Sequence, residues 1–378
     1  MTRHLLPTAL VTMVYLTLGT TAHAADCLAA GYPGLYGGDK IQAAINDPQC
    51  TTVIVSTPGP DPNGHWLLAT PILGKSNMIL RGNSPSPRPV LFPTGPQSNH
   101  LRLLILDGLT SVTVQWLNWQ ANYEANTIIV VRNGSSNIRI TSNVFVRADF
   151  FAVLGNGPLA TSGVTVEWNL FDGNGDIDVR THPIGDLSHS WWIVRNNNHV
   201  NGYYAVALAN AIDSSVLTNT AVLRAEAVAQ HDSGIDLNHG QRITVRGNQI
   251  SGGCNSGITA DDVINSMIES NIVTGCVFGG VVLANGAVPE YQPWLLSGNV
   301  IRKNTLTKNG WALWASGTPP TNTNNQWTDN ILVDNAYGCF SDASGNVFTG
   351  NGPTCPDTPP ELSRCWLGQD VTGSCVVQ

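Results

Sequence analysis

The chain has 378 residues, a formal net charge of −8 at pH 7 and only 12% charged residues. It has no basic run and no basic face for a phosphate backbone to bind, so a nucleic-acid partner is not expected. Its 38 Gly, with abundant Asn, Ser and Thr, suit short strands and tight turns and argue against a helical protein.

Residues 1–24 read as a secretory signal. Arg3 and His4 form a short n-region, Leu5 to Leu18 is largely apolar, and Ala22-His23-Ala24 is a small-x-small cleavage site. The mature protein is therefore expected outside the cytoplasm, extracellular or periplasmic. No later segment is long and apolar enough to insert in a membrane. The eight Cys are even in number in an oxidising compartment, so disulfides are the default. Cys27 and Cys50 bracket an N-terminal cap in which Lys40–Ile45 is predicted as a short helix ahead of the first strand, Thr52–Ser56. Such a helix would cover the open strand edges at one end of a stacked fold. Cys254 and Cys276 occupy similar places in successive repeats and suit a bridge between them. Cys339, Cys355, Cys365 and Cys375 crowd the C-terminus. No pair has the Cys-x-x-Cys spacing of a zinc site.

From about Asn77 to Asn346 one pattern recurs: a short alternating strand, an Asn, another short strand, a loop, then an apolar strand that often opens with Gly. The clearest copies are Ile243-Thr-Val-Arg-Gly-Asn248, Ser266-Met-Ile-Glu-Ser-Asn271 and Gln326-Trp-Thr-Asp-Asn330, with looser ones around Asn143, Asn169, Asn198, Asn219 and Asn304. A period of about 20–30 residues is the signature of a solenoid, whose repeats bury their apolar faces only against their neighbours. An Asn placed once per repeat can satisfy backbone groups at a bend, tolerate left-handed backbone angles and stack into an amide ladder. With the cap helix and the strand–Asn–strand rungs, the chain resembles the right-handed parallel β-helix proteins of the pectate-lyase-like superfamily. The resemblance implies an all-β, single-stranded right-handed parallel β-helix over residues 25–350, followed by a Cys/Pro-rich tail at 351–378. A monomer is expected. Lyases, epimerases, glycoside hydrolases and non-catalytic adhesins all share this fold class.

The resemblance also directs the search to the strand that follows the long loop. Strict alternation along that strand turns Ile177, Val179, Val206, Leu208, Ile235, Leu237, Ile258, Ala260, Val281 and Leu283 inward. The outward set is bland on most rungs, as at Val153 and Gly155 or Ala207 and Ala209. On three central rungs it is polar: Asp178 and Arg180, Asp236 and Asn238, Thr259 and Asp261. His182, His239 and Asp262 follow these strands at once. Taken at about 4.8 Å per rung, Asp178 and Asp236 would flank the Ala207 rung about 10 Å apart. Asp236 and Asp261, one rung and two residues apart, would lie on a Cα diagonal of about 8 Å.

Three functions compete for these residues. A lyase or epimerase acting on a uronate polysaccharide needs a base and a positive charge for the developing enolate. Arg180, His182 and His239 are its candidates, with Asp176 and Asp178 as the expected ligands if a Ca²⁺ takes part. The Arg- and Asp-containing motifs of pectate lyases and the Asp-Pro-His-Asp motif of alginate epimerases are absent. An inverting glycoside hydrolase needs two carboxyls about 6.5–9.5 Å apart, and the Asp236–Asp261 diagonal falls in that window. His231-Asp-Ser-Gly-Ile-Asp236 is similar to a polygalacturonase segment at Gly234 and Asp236, yet the paired Asp expected near Asn255-Ser256 is missing. A non-catalytic secreted binding protein is the third reading. In all three the expected partner is a polysaccharide. Asp178, Arg180, Asp236, His239 and Asp261 are the expected catalytic residues, and His182, Asn238, Thr259 and Asp262 the expected binding ones.

Overall fold

The computed structural model describes residues 25–94, 102–182, 188–226, 232–284, 295–316, 322–341 and 345–352. The signal segment and the residues beyond 352, with Cys355, Cys365 and Cys375, lie outside the described residues. The chain forms one parallel solenoid walled by three long sheets of 15, 11 and 11 strands. One rung shows the plan. Phe151–Asn156 lies in what we term the front sheet, Ser162–Glu167 in the back sheet and Leu170–Asp172 in the side sheet. Each strand pairs in parallel with its counterpart one rung on, as Phe151 does with Ile177, Thr165 with Ile193 and Phe171 with His199.

The turn from back to side sheet is held by a column of buried amides: Asn143, Asn169, Asn197, Asn219, Asn248, Asn271, Asn304, Asn330 and Asn351. Each Nδ2 donates to the Oδ1 of the next Asn at 2.8–3.2 Å. Asn169 shows why only Asn serves. Its Nδ2 also donates to the Ile140 carbonyl, while its Oδ1 accepts both the Asn143 backbone N–H and the Asn143 Nδ2. All four hydrogen-bonding sites of the amide are used, which a buried polar group requires.

Two details differ from the sequence reading. Within Asn196-Asn197-Asn198 the ladder member is Asn197, and Asn198 is exposed on the next strand. The left-handed residue is not the ladder Asn but the one before it. Ser142, Trp168, Asn196, Thr218, Gly247, Ser270, Lys303, Asp329 and Gly350 all have φ between 52° and 68°, as does Trp116 before Leu117, which takes the ladder position one rung earlier. That residue turns the corner, which leaves the Asn side chain free to point inward and bond.

The interior is filled by aliphatic stacks and by an aromatic one, in which Phe145, Phe171 and His199 lie face to face at 5.0 and 4.7 Å. The cap helix runs from Gly37 to Asn46, longer than the predicted 40–45, and buries Ile41, Ala44 and Ile45 over the first strands. Disulfides join Cys27 to Cys50 and Cys254 to Cys276. Among the described residues no helix is long and apolar enough to cross a membrane.

If the ladder holds the corner, Asn271→Ala strands partners on both sides and is expected to lower stability by about 3 kcal/mol. Asn198→Ala, off the ladder and exposed, is expected to change it by less than about 0.5 kcal/mol. Urea unfolding of the two variants checks this.

Candidate functional site

The front-sheet strands carry the site: Ile177–Thr181, Tyr204–Ala209, Ser233–Asn238 and Ser256–Asp261. They are not straight. Ala205 and Val206 both belong to the core, as do Ile128 and Ile129, or Ala152 and Val153, on earlier rungs. Each strand therefore bends after its second or third residue, with two consecutive side chains turned inward. A Cβ on Gly234 would strike the Ile250 side chain and one on Gly257 the Val273 side chain. That is why Gly or Ala fills this position on most rungs.

Asp178 occupies the same inward position, aligned with Ala205 by the pairing of Ile177 with Tyr204 and Val179 with Val206. It is 1% exposed. Its Oδ1 accepts from Asn174 Nδ2 at 2.5 Å and its Oδ2 bonds His199 Nδ1 at 2.8 Å. Asp178 thus faces the interior and not the groove, contrary to strict alternation. For the same reason Ile177 lines the groove, and on the preceding rung Leu154 rather than Val153 stands outward, beside Arg180. The expected Ca²⁺ pair is divided as well, since Asp176 lines the groove and Asp178 does not. Among the described residues only Cys27, Asp47 and Cys50 converge closely enough to hold an ion, and both cysteines are spent in a disulfide. Asp176 and Asp178 therefore do not form the expected Ca²⁺ pair.

The residue that faces Asp236 across the Ala207 rung is Arg180, because Ala207 pairs with both. Between them lies a trough of about 210 Å³, lined by Asp176, Arg180, Tyr204, Asp232, Asp236 and Asn238, with Ile177, Ala207 and Ala209 as its apolar surface. Tyr204 and Asp232, hydrogen-bonded to one another, are missed by the alternation argument. Both stand at strand starts, ahead of the bend. Arg180 bridges Asp176 at 3.9 Å and lies 5.4 Å over the Phe151 ring.

The expected diagonal is present. Asp236 pairs with Thr259 and Asn238 with Asp261, so Asp236 and Asp261 stand one rung and two residues apart. Asn238 Nδ2 donates to Asp236 at 2.7 Å, and Thr259 shares a hydrogen bond with Ser233 at 2.7 Å. Asp261 Oδ1 is buried with no hydrogen-bond partner. His239 and Asp262 follow with left-handed backbones and approach to 3.7 Å. Burial holds the His239 imidazole below its ordinary pKa. His182 is exposed, and its carbonyl bonds His189 Nε2.

Burial pushes the Asp232 carboxyl up to about 6, against the hydrogen bond from Tyr204. It pushes Asp236 up to about 6 as well, against the pull of Asn238 and Arg180. Asp261 is raised well above the ordinary range by burial and then by the charges of Asp236 and Asp262.

A family model described as a right handed beta helix region matches residues 186–325. None of the curated proteins matches the chain in sequence. Among solved structures, an exopolygalacturonase from Thermotoga maritima superposes with a TM-score of 0.64 at 8% identity, over 86% of this chain and 92% of its own. The mannuronan C-5 epimerase A-module of Azotobacter vinelandii gives 0.53 at 11% identity over 86% and 100%. A surface adhesin of Streptococcus pneumoniae gives 0.58 at 11% identity over 86% and 91%.

The raised carboxyls fix a pH dependence. Their unfolded counterparts ionise near pH 4, so between about pH 4 and 6 the folded chain binds more protons and stability falls as pH rises. Asp261→Asn is expected to raise the thermal midpoint above that of the parent at pH 7.5 and to leave it nearly unchanged at pH 4, as followed by circular dichroism. Likenesses at such low identity speak for the fold alone, and with the parallel rungs and the family match they show that this chain folds as a right-handed parallel β-helix.

Proposed function

We propose that the Asp236–Asp261 pair, at the edge of the trough, is the catalytic centre of a glycoside hydrolase acting by inversion on a neutral polysaccharide. The observation that carries this reading is the Asp236–Asp261 pair. Two raised carboxyls interact on a diagonal of about 8 Å, inside the window of about 6.5–9.5 Å that leaves room for a water. Because they interact, they titrate as a pair, and between its two ionisations the pair holds one proton.

That single proton defines the roles. Asp261, the more strongly raised, is the acid that protonates the glycosidic oxygen as the bond from the anomeric carbon breaks. Asp236, less strongly raised because Asn238 and Arg180 oppose the effect of its burial, takes a proton from the water that attacks the opposite face. Tyr204 and Asp232 are placed to hold sugar hydroxyls, and Ala207 and Ala209 leave space for the ring. Three carboxylates against one guanidinium in the trough would repel a polyuronate, which favours a neutral chain over the uronate of the lyase reading. The exopolygalacturonase and the epimerase among the structural neighbours support a polysaccharide substrate, while its neutrality rests on the charge of the trough alone.

The test is a panel of neutral glycans and polyuronates, with and without Ca²⁺, read for reducing ends and ultraviolet absorbance together. Reducing ends without absorbance are expected, unaffected by chelator, with the α/β ratio of the new ends showing inversion by NMR. Asp236→Asn and Asp261→Asn are each expected to lower kcat by at least about 10²-fold. Absorbance rising with the ends would establish a lyase and overturn the assignment, as would full activity in either variant.

A further inference from the structure

The turns that border the back sheet need only a residue that tolerates a left-handed backbone. At the corner beside the ladder most rungs use Ser142, Asn196, Thr218, Gly247, Ser270, Lys303, Asp329 or Gly350. At the opposite corner they use residues such as Asn77, Asn137, Asp213 and Asn265. Three aromatic residues stand among them: Trp116 and Trp168 beside the ladder, and Trp191 at the opposite corner, with φ of 60°, 58° and 54°. The corners require this backbone, and Thr218, Arg242 and Lys303 adopt it too, but a bulky aromatic is an uncommon choice for it. Trp168 is 59% exposed and Trp191 58% exposed, while Trp116 is half-buried with Arg81 over its ring at 5.8 Å. Trp192, next to Trp191, is fully buried and donates its indole N–H to Thr161.

The three indoles are placed by the rungs. Trp116 and Trp168 align with Ser142 between them, two rungs and about 10 Å apart. That matches every second sugar of an extended pyranose chain. Trp191 lies one rung further on and five positions along the strand, about 17 Å from Trp168. Between them the outer face carries Arg139 and Arg195, both bonded to Glu167 at 2.6 and 2.7 Å. This leaves one net positive charge and several partly exposed guanidinium donors on a protein of net charge −8.

We propose that this back-sheet surface is a second, non-catalytic glycan-binding site, in which Trp116 and Trp168, in line along the solenoid, stack on one polysaccharide chain and Trp191 stacks on glycan about 17 Å across the sheet. The sugars present C–H faces to the indoles, and their hydroxyls or carboxylates meet Arg139 and Arg195. The site lies on a different sheet from the trough and does not depend on the hydrolase reading.

The experiment uses the Asp236→Asn protein, so that polymer is not cleaved, in native gels containing hydroxyethyl cellulose, xylan or polygalacturonate. The comparison is the same protein with Trp116→Ser, Trp168→Ser and Trp191→Asn, residues the same corners use elsewhere. Retardation by at least one polymer is expected, with a dissociation constant at least 10-fold weaker in the triple variant and a thermal midpoint that is not lowered. The triple substitution on the Asp236 background is expected to leave turnover of short oligosaccharides unchanged. Response to the neutral or to the acidic polymer shows which sugar the Arg139–Glu167–Arg195 bridge selects. Retardation by none of the three, or equal retardation of both proteins, overturns the proposal.

Discussion

A chain that coils around a dry interior must bend several times per turn, and at each bend peptide groups lose their sheet partners where water cannot replace them. The amide column from Asn143 to Asn351 answers this constraint. It saturates its own hydrogen bonds while tying each rung to the next, and it does so at one fixed place in every repeat. Register across the solenoid follows. Once the corners are stacked, the residues between them fall into columns, and which residue meets which across 4.8 Å is no longer free.

The trough is a product of those columns. Three rungs align Arg180, Ala207 and Asp236, putting a cation, a methyl group and a carboxyl in line. No single strand contains the site, and a shift of one residue in any of them would disperse it. The electrostatics come from the same stacking. Neighbouring rungs bring Asp232, Asp236 and Asp261 into one field, and burial removes the water that would screen them.

The fold was legible because its signal is periodic and redundant. Misplacing one ladder residue in the run Asn196 to Asn198 changes nothing, since the other copies fix the architecture. The Asp236–Asp261 diagonal was legible too, because both residues lie past the bend, where alternation holds. Asp178 was not. Alternation assumes a straight strand, and two consecutive inward side chains reverse the phase of every residue before the bend. Tyr204 and Asp232 were lost to the same cause.

The buried bond between Asp178 and His199 ties the front strand of one rung to the side strand of the same rung, whereas the amide ladder ties each rung to the next. Ladder positions are chemically alike, so one repeat could be duplicated, deleted or exchanged and still find an Asn above and below. Asp178 and His199 are unlike one another and meet only in this order. Losing either of them would leave a carboxylate or an imidazole alone in the interior. This rung is therefore not interchangeable with its neighbours, and it is the rung that brings Arg180 to the trough. Repeats elsewhere can be gained or lost to lengthen or shorten the groove, while this one must be kept whole.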